Sequence, residues 1–196
     1  MNLYEIKGAL NIFSVLGGSI KLTLLILVAM IVLGLIASGI ERFINIILGS
    51  FLGGDFALVF CNYLTFPGTI LHELSHAFVA VVTGAQVTEI SFFDFGFSLG
   101  HVSYIPRGTK FMRALQNSLT ACAPVISGCI ALPLLFMWLG NVDAIAARVG
   151  IIYLIVCVID HMTMSILDII NYFRGIWASA IFFFVLNIVL LVALNS

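Results

Sequence analysis

The stretch FPGTILHELSHAFVAVVTG, residues 66–84, places three ionisable side chains inside an otherwise apolar segment. In a helix, His72 and His76 lie one turn apart on the same face, so both rings can reach a single metal ion. Neutral imidazole is a good Zn²⁺ ligand, and Glu73 can act as the base toward a water molecule that the metal activates. The stretch therefore predicts a zinc site.

The composition of the chain predicts that this site lies within a membrane. Hydrophobic residues make up 62% of the 196 residues and charged residues only 9%, whereas charged residues approach a quarter of a soluble domain. Ionisable side chains are costly in lipid and persist there mainly at functional positions. The apolar surroundings therefore strengthen the prediction of a metal site.

Charge and cysteine usage exclude other classes of protein. The sequence has no basic run that would suggest a nucleic-acid partner, so we expect none. The four cysteines fall in apolar stretches without CxxC spacing. They predict small buried side chains, not a disulfide framework or a thiolate zinc site.

The apolar runs predict an all-α polytopic membrane protein with about five transmembrane helices, folded as a single domain over residues 1–196. Residues 1–20, interrupted by Gly17-Gly18, are expected at the membrane interface, and residues 43–54 in a short re-entrant or interfacial piece. We expect Pro67 to kink the second span just before the HELSH turn. The expected spans are Leu22–Ile40, Phe56–Thr83, Ala114–Leu139, Ile145–Tyr172 and Ile176–Leu194.

Residues 85–105 differ from the rest of the chain. They are rich in β-formers and punctuated by Gly96 and Gly100, a pattern that predicts a short β-hairpin or β-loop at about 86–104. Non-helical backbone at membrane depth is tolerated only where protein or a water-filled cavity covers it. We therefore expect the hairpin to lie against the helices.

The distribution of basic residues predicts the orientation of the chain. With five spans, one side of the membrane receives more Lys and Arg, so the positive-inside rule places the N-terminus, the 84–113 loop and the active-site side in the cytosol. We expect a multi-pass protein of the plasma membrane of a prokaryote. The more basic side holds Lys7, Lys21, Arg107, Lys110, Arg113 and Arg174, against Arg42 and Arg148 on the other.

A catalytic zinc ion requires a third protein ligand besides the two histidines. In one continuous helix Asp160 and Asp168 would lie about 12 Å apart, so both could not bind one ion. Two structural alternatives stay open: Asp160 and His161 can form an ion pair or hydrogen-bonded pair, and Asp168 with Ser165 can form a local cap. The candidates are Asp168, Asp160, His161, His101 and Asp94.

The order of these motifs resembles that of the site-2-protease-type intramembrane zinc metalloproteases. A membrane helix with HExxH is followed by a Gly-Ala-x-Val β-loop, a helix with Ala-x-Ala-Pro and a later helix with an Asp. The resemblance covers about residues 60–175. It is carried by Pro67-Gly68 through His76, Gly84-Ala85-Gln86-Val87, Ile90-Ser91, Gly100, Ala121-Cys122-Ala123-Pro124 and Ser165-Ile166-Leu167-Asp168.

The resemblance implies His72, His76 and Asp168 as zinc ligands and Glu73 as the general base. It also implies a β-loop that receives an unwound, single-span membrane-protein substrate as an added strand, and allows for a regulatory membrane partner. The chain departs from the family in two places: Ile169 follows Asp168 where the family has Gly, and Ala123-Pro124 with Ser127 replaces a Gly-Pro with a downstream Asn. Asn117 and Asn171 are the remaining candidates for oxyanion support.

These observations predict an intramembrane zinc metalloprotease that cleaves transmembrane segments. Two other functions remain open at this point. One is a non-catalytic membrane binder or chaperone of the same fold, against which an intact Glu73 argues. The other is a metal carrier, for which we would expect a polar path on both sides of the site.

Overall fold

The computed structural model describes residues 3–53, 63–93 and 99–195. These residues form mainly helices, with one two-stranded sheet. The elements are α1 (Leu3–Leu52), α2 (Phe66–Val82), β1 (Gln86–Phe93), β2 (Leu99–Ile105), α3 (Lys110–Ala121), α4 (Ala123–Asn141), α5 (Ile145–His161) and α6 (Ile166–Asn195).

Three stretches of these helices are long and apolar enough to cross a membrane: Ile12–Phe51 in α1, Ala123–Asn141 in α4 and Ile166–Leu194 in α6. Helix α2 is apolar but shorter, with 17 residues. The structure thus has the character of a membrane protein. The described residues contain three candidate spans, whereas the sequence predicted about five.

The N-terminal part of the chain differs from the expectation. From Leu3 onward it belongs to α1, which continues through Gly17-Gly18 and through residues 43–52 without interruption. A glycine costs a helix roughly 1 kcal/mol, whereas an unsatisfied backbone group in lipid costs several. The break expected at Gly17-Gly18 and the separate piece expected from residue 43 are therefore not found among the described residues.

The expected third and fourth spans are divided differently in the structure. The third is broken at Cys122 between α3 and α4, because Pro124 occupies the first turn of α4 and cannot continue a preceding helix. The fourth ends at His161, and α6 begins at Ile166 and continues to Asn195. Arg174-Gly175, which was expected to end a span, lies inside α6.

Pro67 lies in the first turn of the helix that carries the HExxH motif. Helix α2 starts at Phe66 with the proline in its first turn. Backbone N–H groups in the first turn make no intrahelical hydrogen bond, so a proline there costs none. Tyr63 and Leu64 are helical and Thr65 is a turn, so the helical chain is interrupted just before Pro67. Residues 54–62, the first part of the expected second span, lie outside the described residues.

The predicted hairpin is confirmed. Strands β1 and β2 pair antiparallel from Gln86 opposite Ile105 to Phe93 opposite Leu99, with an irregularity between Val87 and Glu89. Both strands contact α2, so the helix that carries the HExxH motif covers the hairpin.

Helices α1, α3 and α6 enclose the apolar core. Its buried residues include Leu27, Cys122, Met164 and Tyr172, and the Tyr172 hydroxyl donates to the carbonyl oxygen of Leu27 at 2.6 Å. Many large apolar side chains elsewhere on these helices are exposed, as expected for surfaces that face lipid.

Candidate metal centre

Three potential metal ligands converge where α2 meets the start of α6. One ligand atom from each of His72, His76 and Asp168 lies within 4.8 Å of the others. The two Nε2 atoms are 3.1 Å apart, and Nε2 of His76 lies 3.9 Å from Oδ2 of Asp168. Tetrahedral zinc with bonds of 2.0–2.1 Å would hold its ligand atoms about 3.3 Å apart. The cluster could therefore hold a metal ion.

Hydrogen bonds fix which ring nitrogens point at this position. Nδ1 of His72 donates to the carbonyl oxygen of His161 at 2.6 Å, and Nδ1 of His76 donates to that of Thr120 at 2.8 Å. A carbonyl oxygen only accepts, so both Nδ1 atoms carry hydrogen and both neutral rings present an Nε2 lone pair. Two lone pairs 3.1 Å apart repel each other, and a shared cation removes that repulsion. The donor set therefore fits a metal ion.

Asp168 occupies a capping position as well as the cluster. The backbone N–H and the hydroxyl of Ser165 both donate to Oδ2 of Asp168, at 3.0 and 2.6 Å, and the Asp168 N–H donates back to Oγ of Ser165 at 3.1 Å. This is a reciprocal cap at the start of a helix. The cap proposed for Ser165 and Asp168 is confirmed, and it aims the carboxylate at the histidines.

Asp160 and His161, expected to pair, lie side by side with the Thr65 hydroxyl between them. Oδ2 of Asp160 lies 3.8 Å from Nε2 of His161. Oγ1 of Thr65 donates to Asp160 at 3.2 Å and lies 2.7 Å from Nε2 of His161. All three side chains are buried. The continuous helix assumed between Asp160 and Asp168 is not found, because residues 162–165 are not helical.

The two remaining candidates for third ligand do not belong to the cluster found among the described residues. His101 is exposed on β2, with Nε2 3.8 Å from Oε2 of Glu89. Asp94 lies outside the described residues.

Glu73 lies beside the cluster and is only 5% exposed. It lines a cavity of about 640 Å³ together with His72, His76 and Asp168. Strand β2 closes one side of the cavity at Gly100, where an added Cβ would lie 3.0 Å from Cγ of Glu73. The hairpin thus packs closely against the Glu73 side chain.

The cavity also contains residues that the sequence did not single out. Tyr104 enters from β2, and Glu41 and Arg42 enter from α1. Glu41-Arg42 appeared in the sequence only as the polar end of an apolar run. The alternation of a β-strand, which puts Gly100, Val102 and Tyr104 on one face, was the available signal for Tyr104.

The two asparagines proposed for oxyanion support are placed differently. Asn171 lines the cavity, whereas Asn117 accepts a hydrogen bond of 3.5 Å from the Tyr104 hydroxyl. Burial, and next the nearby Asp168 carboxylate, raises the pKa of Tyr104 to about 12. Its hydroxyl therefore stays protonated at neutral pH.

The geometry thus brings together the predicted ligands and the predicted base. No family model, curated protein or solved structure matches this chain, and its function is inferred from the site itself.

Proposed function

We propose that the chain is an intramembrane zinc metalloprotease of the site-2-protease type, which hydrolyses peptide bonds in the transmembrane segments of single-span membrane proteins. One observation carries the proposal. Nε2 of His72, Nε2 of His76 and a carboxylate oxygen of Asp168 converge within 4.8 Å, and Glu73 lines the same cavity.

Zinc is the proposed metal because of the donor set. Two neutral imidazoles and one carboxylate suit zinc, and three protein ligands leave a position open for water or substrate, as catalytic zinc sites do. When bound, zinc would polarise the substrate carbonyl and lower the pKa of water.

Glu73 has the place and the chemistry of a general base. Its carboxylate takes a proton from the attacking water, whose oxygen forms the new bond to the peptide carbonyl carbon. The C–N bond then breaks, and Glu73 returns the proton to the leaving amine. Burial under the hairpin keeps bulk water away from this proton transfer.

The substrate has to be unwound at the site, because a helical backbone uses its carbonyl groups in its own hydrogen bonds. Strand β2 lines the cavity with Gly100, Val102 and Tyr104, and an extended peptide can add to a strand edge through main-chain hydrogen bonds. We therefore expect substrates whose membrane segment contains helix-breaking residues.

The proposed setting is a prokaryotic plasma membrane, with several spans and the site toward the cytosol. Arg107, Lys110 and Arg113 lie between the hairpin and the second turn of α3 and support a cytosolic position for that loop. Lys21, Arg42 and Arg174 fall inside candidate spans, so they no longer contribute to the orientation.

The test compares wild type with Glu73→Gln, both purified in detergent. Zinc per chain is measured first, and cleavage of single-span peptides with an unwound segment second. We expect equal zinc in the two proteins and cleavage by wild type only, with a loss of at least about a hundredfold in the variant. Glu89→Gln, a change at an exposed glutamate of β1, is the matched control and should cleave like wild type.

The other outcomes separate the alternatives. Zinc without cleavage by wild type, across peptides that bind to it, would favour the non-cutting binder. A metal that exchanges rapidly and crosses the membrane with the protein present would favour the carrier. Wild-type protein that takes up no zinc from metal-replete buffer would refute the metal centre.

A further inference from the structure

The two carbonyl groups that orient the metal histidines both lie at helix breaks. Thr120 is in the last turn of α3, and His161 is the last residue of α5. In a continuous helix, each carbonyl oxygen accepts from the N–H four residues later. The residues four positions after Thr120 and His161 are Pro124 and Ser165. In a continuous helix, these two residues would donate to the two carbonyl oxygens.

Neither carbonyl accepts a hydrogen bond from the residue four positions later. Pro124 has no N–H at all. The N–H of Ser165 donates to Oδ2 of Asp168 at 3.0 Å. Neither carbonyl therefore has a donor four residues later. The Thr120 carbonyl accepts from a backbone N–H at the end of α3 and from Nδ1 of His76 at 2.8 Å, and the His161 carbonyl accepts from Nδ1 of His72 at 2.6 Å.

We propose that the breaks at Pro124 and Ser165 are positioning elements of the metal centre, each of which withholds a helical donor so that a carbonyl can hold one imidazole. The bond at Nδ1 fixes the tautomer and the ring orientation and directs Nε2 toward the metal. Outer-sphere partners of this kind change metal affinity by about ten- to a hundredfold. The inference rests on the metal-binding part of the proposed function and is independent of peptide cleavage.

The two breaks are linked through Asp168. The carboxylate of Asp168 accepts the Ser165 N–H. The His161 carbonyl therefore does not receive that N–H and accepts from His72. His161 is itself anchored, since its ring lies 2.7 Å from Oγ1 of Thr65 and against Gly68. The end of α5 and the start of α6 therefore act as one support for two ligands.

The experiment restores an N–H at position 124. Pro124→Ala and Pro124→Val both add the missing donor, and the valine variant also keeps apolar bulk at this buried position. The matched control is Pro133→Ala, which adds an N–H in the interior of the same helix away from the cavity. The readouts are the dissociation constant for Zn²⁺, from competition with a chromophoric chelator, and the visible spectrum of the Co²⁺-loaded protein.

We expect both Pro124 variants to bind Zn²⁺ about ten- to a hundredfold more weakly, with an altered Co²⁺ spectrum. Pro133→Ala should match wild type in both readouts. If the valine variant binds like wild type and only the alanine variant is weakened, bulk and not the donor matters, and the proposal is overturned. Equal affinity in all four proteins overturns it too. Wild type that binds neither ion would instead refute the proposed metal centre.

Position 165 provides a second test that does not depend on Pro124 variants folding. Ser165→Ala removes the hydroxyl that fixes Asp168, whereas Ser165→Thr keeps it. The alanine variant should lose Zn²⁺ affinity about tenfold and the threonine variant should retain it. An alanine variant with wild-type affinity and an unchanged Co²⁺ spectrum would contradict the proposal.

Discussion

The α1–α6 pair and the metal centre use polar residues in opposite ways. Helices α1 and α6 run for 50 and 30 residues without a break. Where they meet, Nδ2 of Asn187 donates to Oγ1 of Thr23 at 3.0 Å, and the Thr23 hydroxyl donates to the carbonyl oxygen of Ser19 one turn earlier. The polar groups there satisfy one another within the helix pair.

At the metal centre the helices are short and interrupted. Helices α2 and α5 each have 17 residues and α3 has 12, and each break leaves backbone groups that bind side chains. In a continuous helix each carbonyl accepts a backbone N–H, and some, such as that of Leu27, accept a hydroxyl as well. An interrupted helix leaves some carbonyls without the backbone donor four residues later. In this protein, helix continuity accompanies packing and helix interruption accompanies the candidate site.

Removing one polar side chain from each region should separate the two roles most widely. We expect His76→Ala to weaken Zn²⁺ binding on the order of a thousandfold, because a direct ligand is lost. Asn187→Ala should leave Zn²⁺ binding unchanged and lower the free energy of unfolding by about 1 kcal/mol. Chelator competition and thermal unfolding in detergent measure the two effects. An Asn187 variant with weakened Zn²⁺ binding would show that the regions are coupled.

A methyl group added to a glycine should have opposite effects in the two regions. An added Cβ at Gly68 would overlap the carbonyl oxygen of Cys157 and the ring of His161, whereas Gly17 of α1 has nothing within 4 Å. Gly68→Ala should therefore push α2 from α5 and destabilise the protein by about 1–3 kcal/mol. Gly17→Ala should leave stability unchanged or raise it by up to about 1 kcal/mol. Thermal unfolding measures the stability of both variants. Equal stability would contradict the close packing at Gly68.

Replacing a buried threonine by valine tests whether the contact between the Thr65 hydroxyl and His161 contributes to Zn²⁺ affinity. Thr65→Val removes the hydroxyl that contacts Asp160 and His161, and we expect Zn²⁺ affinity to fall about tenfold. Thr23→Val makes the same change in the α1–α6 pair and should not affect affinity. The measurement is competition for Zn²⁺ with a chelator. Thermal unfolding shows whether the two variants have comparable stability. Equal affinity in both would limit Thr65 to packing.

The smallest effect is expected at Tyr104. Tyr104→Phe removes a protonated donor from the cavity, and we expect cleavage to slow about tenfold or less while Zn²⁺ affinity stays constant. With its pKa raised to about 12, the hydroxyl remains protonated below about pH 11, so the ratio of variant to wild-type rate should not change between pH 6 and 9. Tyr63→Phe, outside the cavity lining, is the control. A ratio that changes with pH would contradict a donor that stays protonated.

The local parts of the site could be predicted from the sequence. The spacing of His72 and His76 depends only on helix geometry, and the hairpin at 86–104 depends on β-formers bounded by glycine. The Ser165–Asp168 cap was also visible as an alternative, because a cap involves residues three apart. All three patterns act over a few neighbouring residues.

Where the helices end could not be predicted, and the tertiary structure decided it. In an apolar chain the hydrophobic pattern has little contrast, so Ala114–Leu139 and Ile145–Tyr172 read as continuous spans although they break at Cys122 and after His161. Those breaks are accompanied by contacts between distant residues: Thr120 with His76, and His161 with His72 and Thr65. The sequence thus determined which residues could bind a metal. Only the fold determined which carbonyls orient them, because a backbone acceptor is the same in every residue and its availability depends on where its helix stops.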